Sequence, residues 1–381
     1  MTKRGCRPAI PGSAFPRAHL RQLCLAGLAT TALGVAPNAG ATQPNGISLS
    51  GLVAAGPTMT SNVGGASRYG VDSAPYRPNY IAMNGSETLS QDMAAYFRLA
   101  GRFFANNGQT VGQLFNTNAI VGLRGSLGDL ALGYTRDFMF DYLTIPGFSG
   151  SWFGGIWGSP QGPFLNFGGV YSPARIGSFD ADRTNGEALA NAMKYTKQFG
   201  PLKLGAMYAL GERTSSIHDG STYSLGALYE TPRYGAAAVY TDFRDSGTPT
   251  SHARFQTMGL GAKWNIDEAT IAGSYTRTRN AATNGAIDTF GAGATVPVGG
   301  DYTINVHYQY MKGNAALQDR YAHQVLLKLD KALSLRTHIY LQAAFQKAGG
   351  TADAKAFING AAGPSDNSKQ VLSGLFIEHA F

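Results

Sequence analysis

The sequence predicts an all-β protein: a 16-stranded antiparallel transmembrane β-barrel with a long third loop folded into the lumen. Three observations carry that expectation. Composition is the first: of 381 residues 50 are glycine and only 14% are charged, against about 25% in ordinary soluble chains. Mean hydropathy is nonetheless only −0.13. A soluble chain of this size carries more charge and a helical membrane protein is far more apolar, whereas alternating lipid-facing and lumen-facing residues average to such a value. The second observation is the ending, KQVLSGLFIEHAF. Leu375, Ile377, His379 and Phe381 fall on one side of a strand, with Gly374, Glu378 and Ala380 on the other. Soluble domains fray at their ends, so period-two alternation up to the last residue predicts a final strand held along its whole length. Third, tight turns alternate with long polar loops, the asymmetry of an outer-membrane barrel.

The chain opens with a leader. Lys3, Arg4, Arg7, Arg17 and Arg21 precede the apolar run LCLAGLATTALGVA, and Ala39-Gly40-Ala41 follows as a small-residue cleavage site. Residues 1–41 are therefore expected to be a signal peptide, and 42–381 the barrel. The leader takes five of the 31 basic residues, leaving 26 against 23 acidic ones. The basic pI then belongs mostly to the leader, and nucleic acid is not expected as a partner. Cys6 and Cys24, the two cysteines, leave with it. The remaining chain has no thiolate for disulfide, metal or nucleophilic chemistry.

After the leader the first strand is ISLSGLVAAG (47–56), expected beside the last. PLKLGAMYALGE sets Leu202, Leu204, Ala206 and Tyr208 against Lys203, Gly205 and Met207. YTINVHYQYMKG sets Ile304, Val306, Tyr308 and Tyr310 against Asn305, His307 and Gln309. In SLRTHIYLQAAFQK, Leu335, Ile339, Leu341 and Phe345 oppose Arg336, His338, Gln342 and Gln346. Polar side chains that large need partners in a packed core, and a watery lumen supplies them. Short connections fall at 199–202, 231–235, 266–270 and 298–301 with Gly, Pro or Asp turn chemistry, and longer ones at 213–221, 245–253 and 347–368. An even strand count closes the cylinder without an edge. Tyr134, Tyr195, Tyr208, Tyr229, Trp264, Tyr275 and Phe381 near strand ends read as interfacial girdles.

One stretch, residues 140–188, breaks the rhythm. It is rich in glycine and aromatics, including Trp152, Phe153 and Trp157, and offers no strand pair. A connection that long inside a compact fold is functional or disordered. Its aromatic content argues against disorder, so it is expected inside the lumen as a constriction loop.

At this point the residues resemble a family, the general porins of β-proteobacterial outer membranes. NGSETLSQDMAAYFRLAGRF (84–103) resembles the family's Gly-Ser-Glu motif leading into the third strand. FNTNAIVGLRGSLGDLALGYTRDFMFDYL (115–143) is similar to the hairpin that runs into the constriction loop. NAMKYTKQFGPLKLGAMYALGE (191–212) and the terminal His379-x-Phe381 also fit. The resemblance implies a trimeric, water-filled channel for passive diffusion of ions and small hydrophilic solutes across the cell outer membrane. It also implies Phe381 as the signal read by the barrel-assembly machinery. The chain departs from the family at Tyr80 and Asn84, where arginines are usual before Gly-Ser-Glu. Ala54 or Ala55 replaces a usual acid, and the strand after the constriction loop lacks its opening basic residue, with Arg183 several positions earlier.

A channel of this kind discriminates by bore and by charge on its wall. Phe97, Leu99 and Phe103 are expected to face lipid, which turns Arg98 and Arg102 inward. Arg124, Lys194, Lys203, Lys263, Lys328 and Arg336 follow by the same parity, since a midplane cation facing lipid costs about 2–4 kcal/mol. Arg136 stands between two readings: its parity is that of Leu132 and Tyr134, yet it lies at a strand end. Asp141, Asp180 and Asp182 are the acidic candidates on the constriction loop. More wall cations than loop acids predicts a weak anion preference. A substrate-selective channel for a sugar or an aromatic or organic anion is the alternative, resting on Trp152, Phe153 and Trp157. No Gly-x-Ser-x-Gly elbow, His-Glu-x-x-His pair or metal-spaced Cys/His set occurs, so neither an enzyme nor a cofactor or metal is expected.

Overall fold

The computed structural model describes residues 45–165, 167, 186, 188–212, 214, 217–244 and 254–381. Its first strand segments are β1 (Gly46–Val63), β2 (Ala66–Ser73), β3 (Tyr80–Thr88), β4 (Met93–Arg102), β5 (Asn118–Gly125) and β6 (Gly128–Arg136). They are followed by β7 (Ala188–Phe199), β8 (Leu202–Ala209), β9 (Thr222–Glu230), β10 (Tyr234–Arg244), β11 (Arg254–Ile266) and β12 (Ala269–Asn280). The ring is completed by β13 (Ala286–Pro297), β14 (Tyr302–Gly313), β15 (Tyr321–Ala332), β16 (Thr337–Gly349) and β17 (Lys369–Ala380).

These 17 segments make 16 strands. Both β2 and β3 pair antiparallel with β1, Thr58 opposite Gly70 and Ser48 opposite Asn84. They are two halves of one strand, interrupted at 74–79 by Pro75 and Pro78, neither of which can donate to a ladder. On its other side β1 pairs with β17, Val53 opposite His379 and Thr58 opposite Gly374. The sheet is thereby a closed antiparallel barrel, and β1 runs seven residues beyond the expected Gly56.

Alternation along the strands is as the sequence implies. On β14, Val306 and Tyr308 are each 44% exposed on the outside, while Asn305, His307 and Gln309 are each 2% exposed on the inside. The expected tight turns are all present, between β7 and β8, β9 and β10, β11 and β12, and β13 and β14. Tyr195, Tyr234, Trp264 and Tyr302 ring the outside near those turns. One expectation fails here. Arg336 is exposed in the turn between β15 and β16, because β16 begins only at Thr337 and leaves it off the wall.

The last residue closes the seam. Gly51 N–H donates to the Phe381 carbonyl and Phe381 N–H to the Gly51 carbonyl, both at 3.0 Å. The Phe381 ring lies over Gly51, in space a Cβ would occupy. Two lost backbone bonds correspond to about 1–3 kcal/mol. Deleting Phe381 is therefore expected to lower the urea midpoint of the refolded barrel in lipid vesicles, and Gly51→Val to do the same by expelling the ring. Unchanged midpoints in both variants would show that the seam is held elsewhere.

Candidate functional site

The segment that follows β6 lines the inside of the barrel. It forms three short helical turns, Met139–Thr144, Gly150–Gly154 and Gly155–Gly158. Phe138 packs on inward Gly205 of β8, Phe148 on Gly261 of β11 and Phe153 on Gly293 of β13. Side chains at these glycines would collide with the rings: a Cβ on Gly261 would lie 2.6 Å from Phe148, and one on Gly293 2.8 Å from Phe153. Phe153 also stacks on His307 of β14 at 5.2 Å between ring centroids, and Trp157 meets Phe376 of β17 edge-on at 5.8 Å. Burying each such ring contributes about 1.5–3 kcal/mol. The segment thus tracks around the wall from β8 to β17.

Irregular backbone here needs hydrogen-bond partners, and the wall supplies them as side-chain amides. Asn305 donates to the Phe153 carbonyl at 3.1 Å, Gln324 to Trp157 at 2.7 Å and Gln342 to Gly154 at 2.8 Å. The interrupted strand contributes from the side, with Ile156 N–H donating to the Pro75 carbonyl at 2.8 Å. A second segment, between β16 and β17, is held in the same way. Phe357 N–H donates to Gln346 and Ile358 N–H to Gln370, at 2.7 and 2.8 Å. Gly162 N–H donates to the Phe357 carbonyl at 3.0 Å and joins the two segments. The sequence placed Asn305, Gln342 and Gln346 in open water and treated 347–368 as an ordinary loop. The inward parity holds, but the amides bind backbone instead. The apolar run Ala356-Phe357-Ile358 was the signal for the second inserted segment.

Several wall cations serve the same purpose. Lys194 donates to Asp141 at 2.6 Å and to the Arg136 carbonyl at 2.5 Å. Lys263 donates to the Pro146 carbonyl at 2.6 Å and pairs with Glu230. Arg136 is buried, donates to the Gly186 carbonyl at 2.8 Å and lies 4.8 Å from the Phe140 ring centroid. Lys328 pairs with Asp330 at 3.3 Å and sits against the ring of Tyr76. Arg124 pairs with Asp129 at 2.9 Å beside Tyr96. Arg77, in the strand interruption, pairs with Glu378, a contact the sequence did not reveal.

Two inward cations differ. Arg98 donates to Asn84 at 2.6 Å and to Asn118 at 3.4 Å, neutral acceptors on the neighbouring strands. Lys203 lies 5.6 Å from the Tyr142 ring centroid. Among the described residues neither makes an ion pair with a carboxylate. Arg102 is half-buried at the end of β4, its backbone N–H bonded to Asn116 at 3.0 Å. Asp180 and Asp182 lie outside the described residues. The aromatic candidates are mostly turned away from any solute: Phe153 and Trp157 are buried against the wall, and only Trp152 is half-buried, over Gly147.

Comparison with known proteins agrees with this geometry. A family model described as Gram-negative porin matches residues 29–351. Outer membrane porin protein 32 of Delftia acidovorans is 27% identical over 304 residues, 76% of this chain and 80% of that protein. Among solved structures, the anion-selective porin from Comamonas acidovorans superposes with a TM-score of 0.74 at 22% identity, over 88% of this chain and 99% of that one. OmpT of Vibrio cholerae in its trimer form gives 0.62 at 12% identity over 88% and 99%.

The amide anchors make a specific prediction. Gln342→Leu leaves the Gly154 carbonyl without its donor, a loss of about 1–3 kcal/mol. Single-channel records of that variant should show added current noise or sub-states, while outward Leu341→Val, one residue away, should not. Equally quiet records from both would mean the amide does not hold the segment.

Proposed function

The chain belongs to the Gram-negative porin family, and from that premise we propose a passive outer-membrane diffusion channel with a weak anion preference, narrowed by residues 138–165. Support for the preference comes from cancellation. Asp141, Glu230, Asp330, Asp129 and Glu378 are each matched by a cation on the inner wall. Among the described residues Arg98 and Lys203 then remain as positive charge without a carboxylate. The observation that carries the reading is Arg98, seated between two asparagines that orient the guanidinium without neutralising it. A cation fixed on the wall of a narrow aqueous path raises the local concentration of anions.

The substrate-selective alternative rested on an aromatic surface, and it loses Phe153 and Trp157 to packing. General diffusion is the better reading, and no catalytic step is assigned to the chain. In the same proposal residues 1–41 are a leader removed on export, and the mature chain assembles as a homotrimer in outer-membrane lipid. Phe381, placed on the seam, is the residue the barrel-assembly machinery reads.

Arg98→Glu reverses one wall charge. In a tenfold potassium chloride gradient the zero-current potential of the wild type should have the sign of anion preference, and the variant's should move toward cations. Arg98→Gln should fall between them. If all three potentials coincide, Arg98 does not set the preference. Oligosaccharides added to the wild type are expected to leave the conductance steps unblocked, and concentration-dependent block would favour the selective channel.

A further inference from the structure

Ile120 is out of pattern on the half-open part of the inner wall. Its chain neighbours Val121 and Leu123 are exposed on the lipid side, so alternation turns Ile120 inward, where it is half-buried. Among the described inward positions of β3 to β6 it is the one aliphatic side chain larger than alanine. A lone isoleucine at a surface says little, but its neighbours give it meaning. It stands directly opposite Arg98 on β4 and directly opposite Gly133 on β6. Opposed residues have Cβ atoms about 4.5–5.5 Å apart, which brings the isoleucine against the stem of the arginine. Gly133 has φ +126°, and a Cβ there would lie 2.2 Å from the Ala119 carbonyl oxygen. No side chain fits at that position, so bare backbone flanks Ile120 on the β6 side. Toward the short-turn end the Tyr96 ring lies over Gly122, 2.5 Å from where a Cβ would be, and closes the hollow.

Arg98 supplies the charge. Its Nη1 donates to Asn84 at 2.6 Å and its Nε to Asn118 at 3.4 Å. Among the described residues Nη2 donates to nothing, and it is not sealed from solvent. The two asparagines thus fix the plane of the guanidinium and leave one edge of it for an incoming acceptor. A planar carboxylate matches that edge, since paired N–H donation is the geometry in which guanidinium binds it best. Asp129, two positions nearer the short turns, is held by Arg124 and Tyr96 and does not occupy Arg98.

We infer that Arg98, Ile120 and the bare backbone at Gly133 form a weak subsite for monocarboxylates with a compact apolar body. The carboxylate takes the free edge of the guanidinium, and the apolar body covers Ile120 and releases the water over it. This subsite presupposes the diffusion channel already proposed, in which Arg98 faces the aqueous path, and adds a rank order to it. A wall charge alone sorts solutes by charge and size, whereas a charge beside an aliphatic side chain also sorts anions by the polarity of the rest of the molecule. Binding stays weak, because a site in a conducting path must release what it holds.

The test uses the full exported chain in planar bilayers bathed in potassium chloride. Benzoate, threonate (a polyhydroxy monocarboxylate with as many heavy atoms) and uncharged benzamide are added separately, and the half-blocking concentration is read from the single-channel current. Benzoate should block at about fivefold lower concentration than threonate, and benzamide should not block. Ile120→Ser should weaken the benzoate block about fivefold, with circular dichroism reporting the barrel, and Ile120→Leu should keep it. Arg98→Gln should abolish it, and outward Val121→Ala should block like the wild type. Absence of conductance steps in the wild type would sink the channel and the subsite together. Steps reduced equally by benzoate and threonate, block by benzamide as strong as by benzoate, or benzoate block untouched by Ile120→Ser would each overturn the subsite and leave the diffusion channel standing.

Discussion

Irregular backbone inside a membrane barrel survives only where each of its polar groups finds a partner, and in this chain the wall is built to provide those partners. Asn305, Gln324, Gln342, Gln346 and Gln370 project from consecutive strands β14 to β17 and bond directly to inserted backbone. Lys263 does the same from β11, and Lys194 of β7 holds the segment through the Asp141 carboxylate, both as charged donors, which form the stronger hydrogen bonds. Inward glycines on β8, β11 and β13 provide the room for the rings of the inserted segment. Position of the segment, remaining bore and the electrostatics of the bore all follow from that berth.

The berth also divides the interior. Strands β8 to β17 are lined by inserted chain, so most of their cations and carboxylates are spent on each other or on loop carbonyls, with Lys203 of β8, against the Tyr142 ring, the exception among the described residues. The inner face of β3 to β6 keeps a row of half-buried polar groups, Asn84, Arg98 and Asn118 across neighbouring strands, then Tyr96, Arg124 and Asp129. Charge on this side faces what remains of the lumen. In the proposed reading Arg98, held by Asn84 and Asn118, therefore matters more than the number of cations along the strands suggests. Counting wall charges overstated the field, since most of those charges are internal struts.

How much was legible in the sequence follows from what alternation can and cannot encode. A period of two reports which face a residue occupies, and it placed Lys194, Lys203, Lys263, Lys328 and the strand glutamines inward. It also placed the turns, the closed seam and Phe381 on β1. It does not report what stands opposite. Gln342 facing water and Gln342 facing the Gly154 carbonyl have the same pattern, so the anchoring role was invisible. Arg336 failed for another reason: alternation carried it past a strand start that turn residues Ser334 and Thr337 set through their own hydrogen bonds. The pairing of Arg77 with Glu378 joins residues 301 positions apart and has no local signature.

Hydrogen exchange of the intact protein in detergent, followed by mass spectrometry, tests the berth most directly. The N–H groups of Ile156 and Gly162 donate to Pro75 and Phe357 inside the barrel, so peptides covering 150–162 should exchange as slowly as those from β14. Exchange as fast as that of the exposed loop at 106–109 would place the segment off the wall and contradict the account.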